Sequence, residues 1–433
     1  MYHGAVRVAT PQVRGAGARA LGSAAVLFVV GRLVAAPAAA EPRAQPIEDP
    51  CLARQGEACP AHALDPVYRA LLRVERKEPG AVARVTQFGD SLTADDYIPG
   101  RGRARLQAQF GDGGAGFVYA GQPSRWYLLR EVEHSASGWA VQSIIAGTSR
   151  DHLCGLGGAA FEAAAAGPSA RFATLRKGPL GDKVSRFDVY YLEQPGGGPL
   201  VAQIDDGPEQ RIETAGPAAR SGFHAITVPD GAHALILRAA GPKVRVFGVT
   251  LEREGPGAVV DSLGTVGNAA RFLNQIDPAH LAEQLGHRAP SLVIVFLGAN
   301  EADYWGTDAA AISDYQAGYE KLLAQMRAGA PDAACLVMAP LDTDMEKDGK
   351  LVTKPALPRL VEAQKRAAAA QGCAFWDTFA WMGGRGSMAK WFKRGLSRPD
   401  YQHPTIPGGA KVADALYAAL LHGYDEFVAA GGR

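Results

Sequence analysis

The sequence runs to 433 residues with 47% hydrophobic composition, enough to bury a large core and too long for one typical domain. Lys and Arg number 45 against 44 Asp and Glu, which leaves a formal net charge of +1. With no long basic run after the N-terminus, that balance excludes the electrostatic footprint of a nucleic-acid binder and points to neutral or small partners.

In chain order, residues 1–40 read as an export signal. Arg7, Arg14 and Arg19 precede an apolar run from Leu21 to Val30, and "APAAAE" offers small residues for cleavage after about Ala40. The run is too short for a spanning helix, while Arg32 interrupts the region and leaves an uncleaved tether open. The expected destination is periplasmic or extracellular, with residues 41–80 as an N-terminal extension. There Cys51 and Cys59 either close a small loop or stay as thiols. Cys335 and Cys373 lie in apolar runs and read as small buried hydrophobes. No C-x-x-C or H-x-x-x-H spacing supports a zinc site.

From about residue 81 the pattern is strand, turn, helix: "VARVTQF" runs into Gly89, and "RGRARLQAQF" has helical character. The same grammar returns after residue 256. "GAVVDSL" and "SLVIVFLG" read as strands, followed by a helix with Ile312, Tyr315, Tyr319, Leu322, Leu323 and Met326 on one stripe. Then come "ACLVMAP", a helix from about 356, "CAFWDTF", and a last helix from about Gly408 to Val428. Alternating units of this kind predict an α/β fold with a doubly wound parallel sheet. Residues 124–255 read differently. "FDVYYLEQ", "LVAQIDD", "FHAITVPD", "HALILRAAG" and "VRVFGVTLER" are short runs bounded by Gly, Pro or Asp, the spacing of an all-β sandwich. The α/β domain, residues 81–123 and 256–430, is thus interrupted by a β domain, with "GAAFEAAAAGP" and "EQPGGGP" as its loops.

"FGDSLTADDY", residues 88–97, places Ser91 just after a strand, where it is either a nucleophile or only a turn serine. A nucleophilic hydroxyl needs a base and an orienting acid. "SRPDYQHPT" supplies both, since Asp400 and His403 stand three apart between two prolines, before the last helix. Oxyanion donors are available at "GTVGN", where Gly267 bares its backbone N–H, at "LGAN", where Asn300 ends a strand, and at the Ser91 N–H. Taken singly, Asn300 is a turn cap, Gly267 a kink and the Asp–His pair a surface turn; the combination at strand ends carries the argument. "DTDMEKDG" has spaced acids but puts Lys347 where a calcium loop needs glycine, so it reads as a solvated loop near the site. "FGDGGAGFVYAG" lacks the Lys of a phosphate loop and reads as a tight connection. Trp126, Trp139, Trp376, Trp381 and Trp391 are suited to sugars, though core packing is the default for tryptophan.

At these blocks the chain resembles the SGNH/GDSL hydrolases: "GDSL", "GTVGN", "GANE" and "DYQH" appear in the family's order. The resemblance implies a flavodoxin-like three-layer fold and a serine esterase. In it Ser91 is the nucleophile, His403 the base and Asp400 its orienting acid, with Ser91, Gly267 and Asn300 as the oxyanion hole and no metal or organic cofactor. Glu301 departs from the family's usual Asp after the asparagine. A gap of 176 residues separates Ser91 from Gly267, far more than one helix and strand require, and the excess is the β module. That arrangement resembles bacterial peptidoglycan O-acetylesterases, in which a carbohydrate-binding-like sandwich interrupts the catalytic domain. The implied substrate is an acylated, chiefly O-acetylated, envelope polysaccharide, with no nucleic-acid partner and no stable membrane span after signal removal. An O-acetyltransferase using the same triad and a non-catalytic carbohydrate-binding protein remain the alternatives.

Overall fold

Residues 45–432, apart from 57, 177 and 179, are described by a computed structural model; the expected export signal lies outside them. Five strands form a parallel sheet in the order Gly257–Gly264, Val82–Gly89, Leu292–Phe296, Ala334–Met338, Ala374–Trp376. Their near-continuous apolar character suits strands covered on both faces. Alternate residues feed opposite layers. Val293 and Val295 join Leu281, Leu285, Tyr319 and Leu360 on one side, whereas Leu292, Ile294 and Phe296 join Ile98, Leu106, Val412 and Leu416 on the other. The result is the expected doubly wound, three-layer α/β fold.

Two antiparallel sheets make up the β-rich region. One runs Arg220–Gly231, Val184–Glu193, Val244–Glu252, Ala159–Ala163, Ala140–Ser143, and Gly116–Tyr119 also pairs with Val244–Glu252. The other runs Glu133–Ser137, Ser169–Ala173, Ala234–Ala239, Pro199–Ile204, Glu209–Glu213. Phe161, Val189 and Phe247 of the first share a core with Phe172, Leu200 and Leu237 of the second. Two expectations are corrected here. "GAAFEAAAAGP" is no loop: Ala159–Ala163 is a mostly buried inner strand whose small side chains gave no β-branched signal. Cys335 and Cys373 are buried but disulfide-bonded, because their strands are paired neighbours and bring the two Cα atoms to 4.7 Å. Cys51 and Cys59 close the other disulfide, and Cys154 is a buried thiol.

A buried ionic junction ties the two regions together. Arg288, 3% exposed, ends the helix Pro278–Arg288 and donates Nε and Nη2 to Asp261 at 2.8 Å each, with Nη1 on Glu252. Asp261, in the strand beside Val82–Gly89, also accepts the Phe117 N–H at 2.9 Å and the Thr86 hydroxyl at 2.7 Å. Glu252 closes the β-rich strand Val244–Glu252 and receives Arg84 from the parallel sheet at 2.8 Å. Burial opposes the charge on Glu252, but Arg288 and Arg84 outweigh it and hold the carboxyl down at about 2. Removing one partner of such a network strands the others. Arg288→Met should therefore lower unfolding stability by about 3–5 kcal/mol, read from urea or thermal denaturation; a loss indistinguishable from that of an exposed Arg→Met control refutes the junction's role.

Candidate active site

Register places the site. Gly89 pairs with both Gly264 and Phe296, so three adjacent strands end level at their carboxyl edge. Ser91, Gly267 and Asn300 emerge two, three and four residues beyond those ends. This is the edge at which open α/β sheets bind ligands. Ser91 opens the short helix Ser91–Ala94, capped by Asp90, whose Oδ1 accepts the Leu92 N–H at 2.9 Å. That turn lies hard against the neighbouring strand. A Cβ on Gly264 would stand 2.1 Å from the Ala94 nitrogen, so only glycine lets the backbones approach. Gly267 has φ +81°, a left-handed conformation glycine adopts freely, and its open side meets only Ile145 of the β-rich region, 3.8 Å from a built Cβ.

The imidazole comes from a loop far along the sequence. His403 Nε2 stands 2.8 Å from Ser91 Oγ, and its Nδ1 stands 2.9 Å from Asp400 Oδ2. A carboxylate can only accept, so Nδ1 carries the proton and Nε2 is free to accept from the serine hydroxyl. Asp400 is fixed in turn by the N–H groups of Gln402 and His403, both at 3.0 Å. Its burial disfavours charge, yet these donors and the imidazole prevail and keep its carboxyl below the ordinary range. Tyr401 at φ +54° makes the tight turn, and Thr405 caps the final helix Ile406–Ala429.

All five residues singled out in the sequence thus meet at one edge, with Ser91, His403 and Asp400 in a hydrogen-bonded chain. Asn300 is engaged otherwise than expected. Its Nδ2 donates to the Asn268 carbonyl at 2.9 Å and to Asp90 Oδ2 at 3.3 Å. Burial, with added repulsion from Glu301 and Asp95, pushes Asp90 up to about 7. Glu301 turns inward and accepts the Ala270 N–H at 3.0 Å, joining the asparagine arm to the glycine arm. Burial raises it to about 7 as well. Among the described residues no group of three His, Cys, Asp or Glu side chains is arranged to hold a metal.

Other contacts had no signal in the sequence. "DTDMEKDG" is no simple solvated loop: it forms a hairpin, Asp344–Lys347 with Lys350–Thr353, whose tip is exposed. At its base Asp342 is buried, accepting the Thr353 hydroxyl at 2.8 Å and the Met388 N–H at 3.0 Å. Beyond the hairpin, Lys354 reaches Gln402 Oε1 at 2.9 Å and Asp303 Oδ1 at 2.5 Å. One nearly buried ammonium so links the loop of His403 to the helix that follows Asn300. Arg398 ties the same loop to Asp95 at 3.1 Å. Trp126, against the core default, is 57% exposed, whereas Trp376 and Trp391 are buried.

Lys354→Met should lower kcat on a small ester about 10–100-fold by loosening the two arms, with KM little changed; an unaltered kcat refutes its positioning role. Glu301 holds its proton more tightly folded than unfolded, so its contribution falls as pH rises from its ordinary 4.5 through about 7. The melting temperature of Glu301→Gln relative to wild type should accordingly rise over that window, and a pH-independent difference contradicts it.

A model of the GDSL-like lipase/acylhydrolase family matches residues 226–410. The match spans Gly267, Asn300, Asp400 and His403 but not Ser91, which the β-rich region separates from the other blocks. No curated protein matches the chain significantly. Among solved structures, a peptidoglycan O-acetylesterase is 23% identical over 83% of this chain and 96% of its own, with TM-score 0.69. An acetylxylan esterase from Geobacillus stearothermophilus is 20% identical over 38% and 73%, with TM-score 0.28. A family two carbohydrate esterase from Cellvibrio japonicus is 14% identical over 68% and 98%, with TM-score 0.27. The resemblance carried by the sequence blocks is thus matched by a GDSL-like lipase/acylhydrolase family model over residues 226–410, and the fold is that of the peptidoglycan O-acetylesterase.

Proposed function

We propose that the protein is a serine esterase that removes short acyl groups, chiefly O-acetyl, from an envelope polysaccharide such as peptidoglycan. The observation that carries this reading is the chain Ser91 Oγ–His403 Nε2–Asp400, with contacts of 2.8 and 2.9 Å. Ser91 Oγ attacks the ester carbonyl carbon as its proton passes to His403 Nε2, and Asp400 steadies the imidazolium. The negative oxygen of the tetrahedral intermediate meets the N–H groups of Ser91 and Gly267 and the Asn300 amide, which gives up its longer bond to Asp90. Collapse expels the sugar oxygen, which takes the proton from His403. Water then attacks the acyl-serine by the same route, releasing acetate and restoring the hydroxyl.

The fold's similarity to a peptidoglycan O-acetylesterase supports an acetylated glycan as substrate. Export is supported by the two disulfides, which suit an oxidising compartment. Among the described residues no helix is long and apolar enough to cross a membrane. The test is hydrolysis of an aryl acetate and of O-acetylated glycan by the purified protein. Ser91→Ala should lower kcat by about 10³-fold or more on both, and a serine-directed phosphonate should label Ser91; equal rates for variant and wild type remove Ser91 from the mechanism.

A further inference from the structure

Two short helices start beside the oxyanion donors: Ala270–Leu273, three residues after Gly267, and Glu301–Tyr304, directly after Asn300. Their side chains meet. The Arg271 guanidinium lies 4.2 Å from the centre of the Tyr304 ring and 4.7 Å from that of Phe272. Tyr304 is 43% exposed, and Arg271 is exposed as well. Arg84, Arg103, Arg245, Arg253 and Arg288 all sit on carboxylates. Arg271 has no carboxylate within ion-pair reach among the described residues, although it is held in place by two rings. A guanidinium held over an aromatic face leaves N–H donors free to receive a carboxylate. A second such pair lies near the serine's turn. Arg125 lies 4.6 Å over exposed Trp126, on a segment anchored by the Leu128 N–H donating to Ala94, the last residue of the serine's own helical turn, at 2.9 Å.

We propose that Arg271, seated on Tyr304, is a specificity-determining residue that binds a carboxylate of the acylated sugar, so that the preferred substrate is an O-acetylated polysaccharide carrying free carboxylates rather than a neutral one. The two helices that carry this pair start within three residues of Gly267 and directly after Asn300, so the guanidinium is carried beside the oxyanion donors. Trp126 offers an aromatic face for a further sugar ring on the other side. The proposal rests on the esterase reading above and names its substrate class.

Both a lactyl-bearing amino sugar and a uronic acid supply such a carboxylate, so the test has two arms. Binding to Ser91→Ala is measured by calorimetry for O-acetylated muramoyl glycan strands and for O-acetylated oligogalacturonates, each beside a counterpart with its carboxyls amidated. At least one acid form should bind about ten-fold more tightly than its amide, and that arm identifies the source. The gain should vanish in Ser91→Ala/Arg271→Gln and persist in part in Ser91→Ala/Arg271→Lys. No gain for either acid form, or a gain that survives Arg271→Gln, overturns the proposal. Aryl acetate hydrolysis by the wild type is scored separately: its absence sinks the esterase reading, whereas the binding contrast still decides Arg271.

Discussion

Everything at the catalytic edge depends on three strands finishing level. Because Gly89 is opposite both Gly264 and Phe296, the segments that follow leave the sheet side by side and deliver a hydroxyl, a bare backbone N–H and an amide to one place. A one-residue slip would turn every side chain on the shifted strand to the other layer, exchanging the partners of two separate cores. The packing that stabilises the fold therefore also sets the geometry of the chemistry. Gly264 shows how tight the tolerance is, since no side chain fits between that strand end and the serine's turn.

Around this frame, polar side chains act as crosspieces. Asp90 spans from the serine turn to Asn300, Glu301 from the asparagine arm to the glycine arm, and Lys354 from the asparagine arm to the histidine loop. Each costs desolvation, seen in the raised carboxyls of Asp90 and Glu301, and each removes freedom from a loop that would otherwise wander.

Much of this was legible in the residues. The parallel strands are apolar runs bounded by turn residues, and the helix stripes repeat at 3.6 residues, so the α/β fold and its interruption could be read directly. The site blocks were readable because each ends a strand or precedes a helix. What escaped detection depended on distance in sequence. Ala159–Ala163 is a strand by virtue of its neighbours, not its composition. Cys335 and Cys373, 38 residues apart, bond only because the strand holding one and the strand following the other lie adjacent. Lys354 is an ordinary lysine until the hairpin carries it to Gln402. Trp126 looks like a core residue until the fold leaves it in water.

The chain's connectivity has a consequence for how the enzyme comes into being. The strand Val82–Gly89 is an inner strand, and both its partners are made only after the whole β-rich region. On a growing or translocating polypeptide it waits with two unpaired edges, the situation in which strands associate with wrong partners. The imidazole that hydrogen-bonds Ser91 lies 312 residues further on. A nascent or prematurely cut chain lacking that loop has its serine but no base beside it. The Ser91–His403–Asp400 hydrogen-bonded chain is thus assembled only once nearly all of the polypeptide has been made and folded.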